Sequence, residues 1–289
     1  MYTDVRRRVV GGAGRALGRG GFTIVETMIV LAVTGALFVA IAATLSGRQN
    51  AAEFTHAIQS IQSQLQQTVD QVSQGFYPNS SNFTCTASGS TLQIAAGTNG
   101  QGTNNGCVFL GKVVQLGVHG SDPEQYQVYT IAGLQSAMAG ATSPFQTAYP
   151  TVVGVSGDYD TYATVGTLEY GLTTAWMKSN GNTIGAFGVL MEPGASGSGA
   201  TGYGNAIQQV DLIPIRASAL DQTPAQAATA INNALRDTTL TTDAPINPSG
   251  GVQICFASAG TNQSGLITIG GSGRQLVVSL SIKGNQTCS

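Results

Sequence analysis

Apolar residues form one continuous stretch near the start of the chain. Residues 22–45 read FTIVETMIVLAVTGALFVAIAATL, with Glu26 as the only charge. At about 1.5 Å per residue, a helix over this run spans roughly 36 Å, enough to cross a hydrocarbon core of about 30 Å. Beyond it the pattern becomes a stripe: Phe54, Ile58, Ile61, Leu65, Val69, Val72 and Phe76 recur at intervals of three and four. Gln59, Ser60, Gln62, Ser63, Gln66, Gln67 and Gln71 fill the remaining positions. That is helical spacing, and no proline falls between Phe22 and Tyr77. The pattern predicts one helix from Phe22 to about Gln74, roughly 80 Å long. Its first half is membrane anchor and its second half an amphipathic spine, with Gly75 and Pro78 as the stop.

A turn-rich joint runs to Asn82, and strand patterns follow at 91–95, 107–118, 126–131, 184–191 and 208–215, separated by Gly, Asn, Ser and Pro clusters. Residues 194–204 read as a Gly/Ser-rich loop, and 224–235 as a short amphipathic helix with Thr223 as N-cap and Pro224 as its first residue. Near the end, Leu276, Val278, Leu280 and Ile282 alternate with Val277, Ser279, Ser281 and Lys283, which predicts one buried and one largely polar face. Val252, Ile254 and Phe256 alternate likewise, as do Ile267 and Ile269. With short turns at 259–264 and 270–273, these three strands make an antiparallel meander, the natural partner for the apolar stripe. The expected fold is α+β: a basic segment at 1–21, a transmembrane helix at 22–45, a spine helix at 46–76 and a mainly antiparallel β-rich head at 77–289.

Charge orients this plan. Arg6, Arg7, Arg8, Arg15 and Arg19 precede Phe22 with only Asp4 beside them, leaving seven basic and thirteen acidic residues after it. By the positive-inside rule the front end stays cytoplasmic and the bulk lies outside. The four cysteines, Cys85, Cys107, Cys255 and Cys288, show no CxxC spacing, and His56 and His119 are the only histidines, so zinc is not expected. Downstream of a membrane helix they read as two disulfides formed in an oxidising compartment. Three connectivities are possible; the sequence-local one, Cys85 with Cys107 and Cys255 with Cys288, is preferred over crossed pairing and over free buried thiols.

The heptapeptide Gly20-Gly21-Phe22-Thr23-Ile24-Val25-Glu26, behind a basic leader and ahead of an uninterrupted apolar run, resembles the signature of type IV prepilins and type II secretion pseudopilins. The resemblance implies cleavage after Gly21 by prepilin peptidase, N-methylation of Phe22, and a Glu26 that stays in the membrane helix to serve assembly. Elementary electrostatics adds a reason: a carboxylate in hydrocarbon is costly and usually has a partner or a function. Glu26 of one copy could neutralise the Phe22 amine of a neighbour, or simply favour the helix dipole. Many members of that family carry a proline in the membrane half; this chain has only Gly35 there. The C-terminal run ICFASAGTNQSGLITIGGSGRQLVVSLSIKG is similar to the H-type minor pseudopilins at Ile254, Phe256, Gly260 and Gly284. The implied function is a structural subunit, a minor pilin or pseudopilin, with a major pilin and a tip adhesin or DNA-capturing minor pilin as alternatives. The implied partners are the peptidase, other pilin or pseudopilin subunits and an inner-membrane assembly platform. The implied location is the cytoplasmic membrane, single-pass with the head outside, and then a periplasmic or extracellular filament.

Enzymatic chemistry and cofactors are not expected. Neither His56 nor His119 has a nucleophile nearby in sequence, and the glycines at 11–14 and 18–21 precede a membrane helix and lack the Lys-Ser/Thr of a phosphate loop. Asp158 and Asp160 could offer oxygens to calcium, but one Asp-x-Asp is not a full ligand set. Nucleic acid is not an expected partner: after Asn50 only Lys112, Lys178, Arg216, Arg236, Arg274 and Lys283 stand against twelve acids.

Overall fold

The computed structural model describes residues 21–75, 83–88, 91–96, 107–118, 122–134, 148–154, 163–191, 210–216, 220, 224–236, 248–258, 262–271, 276–284 and 288. The chain divides into two compact units, Met1–Arg48 and Gln49–Ser289. Helix α1, Ile24–Ser73, is a single 50-residue α-helix that begins in the first unit and ends in the second. It stops where Gly75 takes a left-handed φ of 65°, and the Gly75 N–H bonds the Val72 carbonyl at 2.9 Å. This is the conformation a helix C-terminus reserves for glycine.

Within the second unit the predicted stripe is buried: Phe54, Ala57, Ile58, Ile61, Leu65, Val69 and Val72 are all under 5% exposed. Phe76 lies outside the described residues. The stripe packs on a wide antiparallel sheet, giving the α+β, pilin-like architecture of a long apolar N-terminal helix on a β-sheet head.

Twelve strands are described. β1 (Phe83–Ser88) and β2 (Thr91–Ala96) form a separate hairpin. The other ten are β3 (Cys107–Val118), β4 (Asp122–Leu134), β5 (Thr151–Val152), β6 (Ala163–Thr167), β7 (Leu172–Ser179), β8 (Asn182–Met191), β9 (Val210–Arg216), β10 (Val252–Ser258), β11 (Gln263–Gly270) and β12 (Val277–Gly284). They join in the order β12-β11-β10-β7-β8-β3-β4-β5, with β6 also on β4 and β9 on β8. β5 and β6 share one side of β4, at Ile131–Ala132 and Gln125–Tyr129 respectively.

The β7–β8 hairpin links two blocks of the sheet, because β8 pairs with β7 only at Asn182 and Thr183 before running on between β3 and β9. Its turn is Asn180-Gly181 with φ of 48° and 80°. Positive φ at both central residues is the two-residue turn whose twist matches that of the flanking strands.

Each face of the sheet has its own core. The α1 stripe packs with Val114, Leu116, Met177, Phe187, Val252, Ile254, Phe256, Ile267, Ile269 and Val278. Helix α2, Pro224–Arg236, packs Ala227, Ala228, Ile231 and Leu235 on the other side, with Leu110, Val113, Tyr129, Ile131, Leu190 and Ile213. α2 is tied to the β5 edge: Asn232 Oδ1 accepts from the Val152 N–H at 2.7 Å. Arg236 donates to the Pro150 carbonyl at 2.9 Å and stacks 3.7 Å from the Tyr149 ring centre.

The structure corrects several expectations. The C-terminal antiparallel meander is present as β10-β11-β12, and it continues into a larger sheet that was not expected, because β10 also pairs along β7, about eighty residues upstream. β4 is longer at both ends than 126–131, and β1, β5, β6 and β7 lack predicted counterparts. Leu276 and Val278 are buried, but Leu280 is only partly so and Ile282 is 38% exposed. The cause is position: β12 ends the sheet, and Ile282 stands opposite Gly265, with no further strand beside it among the described residues. The predicted N-cap Thr223 and the loop at 194–204 lie outside the described residues.

Candidate functional site

The N-terminal half of α1 carries the chemistry singled out in the sequence. Residues Ile24–Ala42 form one helical stretch long and apolar enough to cross a membrane, with none of it buried within the chain. Twelve large apolar side chains between Phe22 and Ile41 are 53–77% exposed. A soluble domain does not leave such a surface in water.

The helix start is built by Thr23, whose Oγ1 accepts from the Glu26 backbone N–H at 3.2 Å. Threonine three residues before glutamate is a helix-start signature, present in the sequence as Thr23-Ile24-Val25-Glu26. Glu26 thus occupies the first turn, where a carboxylate meets the positive end of the helix dipole. Among the described residues its carboxylate has no side-chain partner, and Phe22 and Gly21 are exposed beside it. The hydroxyls further along are satisfied internally: Thr27 donates to the Ile24 carbonyl at 2.8 Å and Thr34 to the Val30 carbonyl at 2.7 Å. Glu26 is left as the sole ionisable group on this surface. At Gly35 the helix continues without a break.

In the second unit, polar clamps fix the spine to the sheet at its margins. Lys112 Nζ donates to Gln71 Oε1, Tyr126 Oη donates to Gln64 Oε1 at 2.7 Å, and Gln62 Nε2 donates to the Val278 carbonyl at 3.3 Å. Burial lowers the Lys112 ammonium below its ordinary range. Burial, with Glu169 secondarily, raises the Tyr126 phenol. Glycine makes the closest approach possible: a Cβ at Gly265 would run into the Ile58 side chain and come within 3.6 Å of Phe54.

Cys255 and Cys288 are bonded, with Cα atoms 5.9 Å apart. Cys255 is buried mid-strand between Leu266 and Trp176, and the Trp176 indole N–H donates to the Cys288 carbonyl at 2.8 Å. The C-terminal tail is therefore pinned to β7 and β10 at two points. Cys107, at the start of β3, is also in a disulfide. Cys85 lies on β1 opposite Ile94, and its side chain is outside the described residues.

His56 is exposed on α1, while His119, Arg274, Asp158 and Asp160 lie outside the described residues. Among the described residues no three His, Cys, Asp or Glu side chains cluster as a metal site. Comparison with protein-family models, characterised proteins and solved structures finds no match to this chain.

Proposed function

We propose that this chain is a subunit of the type IV pilin and type II secretion pseudopilin class, a minor pilin or pseudopilin, cut after Gly21, N-methylated at Phe22 and polymerised through α1. The observation that carries the proposal is an exposed apolar helix with one acid, Glu26, in its first turn and, among the described residues, without a side-chain partner. Hydrocarbon satisfies the apolar surface at synthesis, and neighbouring copies do so after assembly. After cleavage the Glu26 carboxylate meets the fresh amine of an adjacent subunit, since an ionic group in a dry environment needs a partner of opposite charge.

The head acts as a rigid outward-facing body. Its disulfides suit the oxidising side of the cytoplasmic membrane, and we pair Cys107 with Cys85, the remaining cysteine. The partners are prepilin peptidase, other subunits and an inner-membrane assembly platform; the role is structural, with no catalysis and no cofactor. Several head cations are already committed: Lys112 is buried, Lys178 lies 4.5 Å from the Trp176 ring centre, and Arg236 holds Tyr149. That distribution favours a scaffold over a DNA-capturing surface, which needs cations gathered along one face.

The test is Glu26→Ala in a cell that assembles the filament. Membrane insertion should persist while incorporation into sheared filaments falls to background. Incorporation at the parental level would remove the pairing.

A further inference from the structure

Among the described residues of the second unit, four large apolar side chains are exposed, Val165, Tyr170, Val277 and Ile282. All four fall at two places. Val277 and Ile282 are on β12, which ends the sheet on one side; Val165 is on β6, and Tyr170 follows in the next turn, on the outer side of β4 at the other end. Among the described residues the other two edges, β9 and β5, are covered. β9 is buried from Val210 to Ile215 and carries Pro214, which blocks pairing, and β5 is tied to α2.

A free edge strand presents unpaired backbone donors and acceptors, and proteins usually blunt such edges with charge, proline or a bulge. On β12 the blunting is slight: Lys283 is its one charge, and among the described residues Gln62 caps only the Val278 carbonyl. The opposite end is acidic. Asp122 and Glu124 stand on β4, where the Glu124 carbonyl accepts from the Leu168 N–H at 2.6 Å, and Glu169 follows directly after β6. One edge is apolar and basic, the other apolar and acidic, and they lie at opposite ends of one sheet.

We infer that β12 of one copy pairs beside β6 of the next copy, so that heads join edge to edge. The occupant of each edge is a second copy of this chain. Exposed β-branched and aromatic residues suit cross-strand contact, and Lys283 meets the Glu124 and Glu169 side. Two different edges in contact make a heterologous interface, which propagates as a ring or open filament and not as a closed pair. The inference rests on the subunit reading above and deepens it by naming where the heads touch.

The experiment uses the full chain in the membranes and filaments of producing cells, with single cysteines introduced by Val165→Cys or Ile282→Cys and, for an alternative register, Thr167→Cys or Val277→Cys. Under mild oxidation a chain carrying one cysteine on each edge should give a ladder beyond the dimer. Two single-cysteine chains made together should give a dimer containing both, with little dimer from either alone. Unchanged Trp176 emission and a protected Cys255–Cys288 bond establish that the variants fold. The proposal is overturned if well-folded variants of both registers stay monomeric, or if Ile282→Cys alone dimerises as well as the mixture, which would mark a twofold β12–β12 contact. A methylated Phe22 terminus without a ladder removes the edge pairing and leaves the subunit reading standing. A ladder from a chain that keeps its arginine-rich front end does the reverse.

Discussion

Removing the Cys255–Cys288 bond, by Cys255→Ala with Cys288→Ala, tests how the head is held together. The two cysteines are 33 positions apart, and loop-closure entropy for a loop of that size is worth about 3.7 kcal/mol at 25 °C. Cys255 is only 4% exposed, so loss of its sulfur adds a small packing cost, and the total loss should be about 4 kcal/mol. Denaturant unfolding of the oxidised parent and the double variant measures it. Trp176, the only tryptophan, gives an independent optical readout of the tail. Its indole N–H bonds the Cys288 carbonyl, so freeing the tail should shift its emission to the red before global unfolding. A loss under about 1 kcal/mol would refute the loop-closure reasoning. A full loss with unmoved emission would show that the tail does not sit on Trp176.

Other consequences follow from the spine and its sheet. Ile58 is fully buried against the sheet, so Ile58→Ala should cost about 2–5 kcal/mol in denaturant unfolding. Gly265→Val should destabilise by about 1–3 kcal/mol, because its side chain needs the space held by Ile58 and Phe54; parental stability in either variant would place the spine elsewhere. Burial pushes the Tyr129 phenol well above its ordinary 10.0. Above that pH the unfolded chain releases the proton while the folded chain keeps it, so this contribution to stability is complete below pH 10.0 and lost as pH rises. Tyr129→Phe should flatten the alkaline loss relative to the parent. It should also cost about 1–3 kcal/mol at neutral pH, since Gln115 and Gln127 lose their shared hydroxyl. An unchanged alkaline slope would contradict the assignment.

What could be read from the sequence was local. Period 3.6 along Phe54 to Val72 and the long apolar run gave α1. The continuous apolar pattern of 107–118 gave β3 at its observed limits, and Pro224 gave the start of α2. Pairing was not legible, because antiparallel partners far apart in sequence leave no periodic trace: nothing local in β10 says that it lies against β7. β6, ATVGT, was lost because a half-exposed edge strand needs no apolar face. The β7–β8 hairpin does have a local signal, Asn180-Gly181 between two strand-forming runs, although no hairpin was expected there. At the candidate site the acid, its spacing and the apolar run were readable, whereas the Thr23 cap needed the T-x-x-E pattern to be noticed. The complementary sheet edges could not be seen before the strand order was known.

The central claim is that a processed amine opens an apolar helix with which the copies pack together. Mass spectrometry of the N-terminal peptide from assembled material tests it most directly. The account predicts a chain beginning at Phe22 and carrying one methyl group on its amine. A chain still beginning at Met1, in cells that contain the processing peptidase, would contradict it.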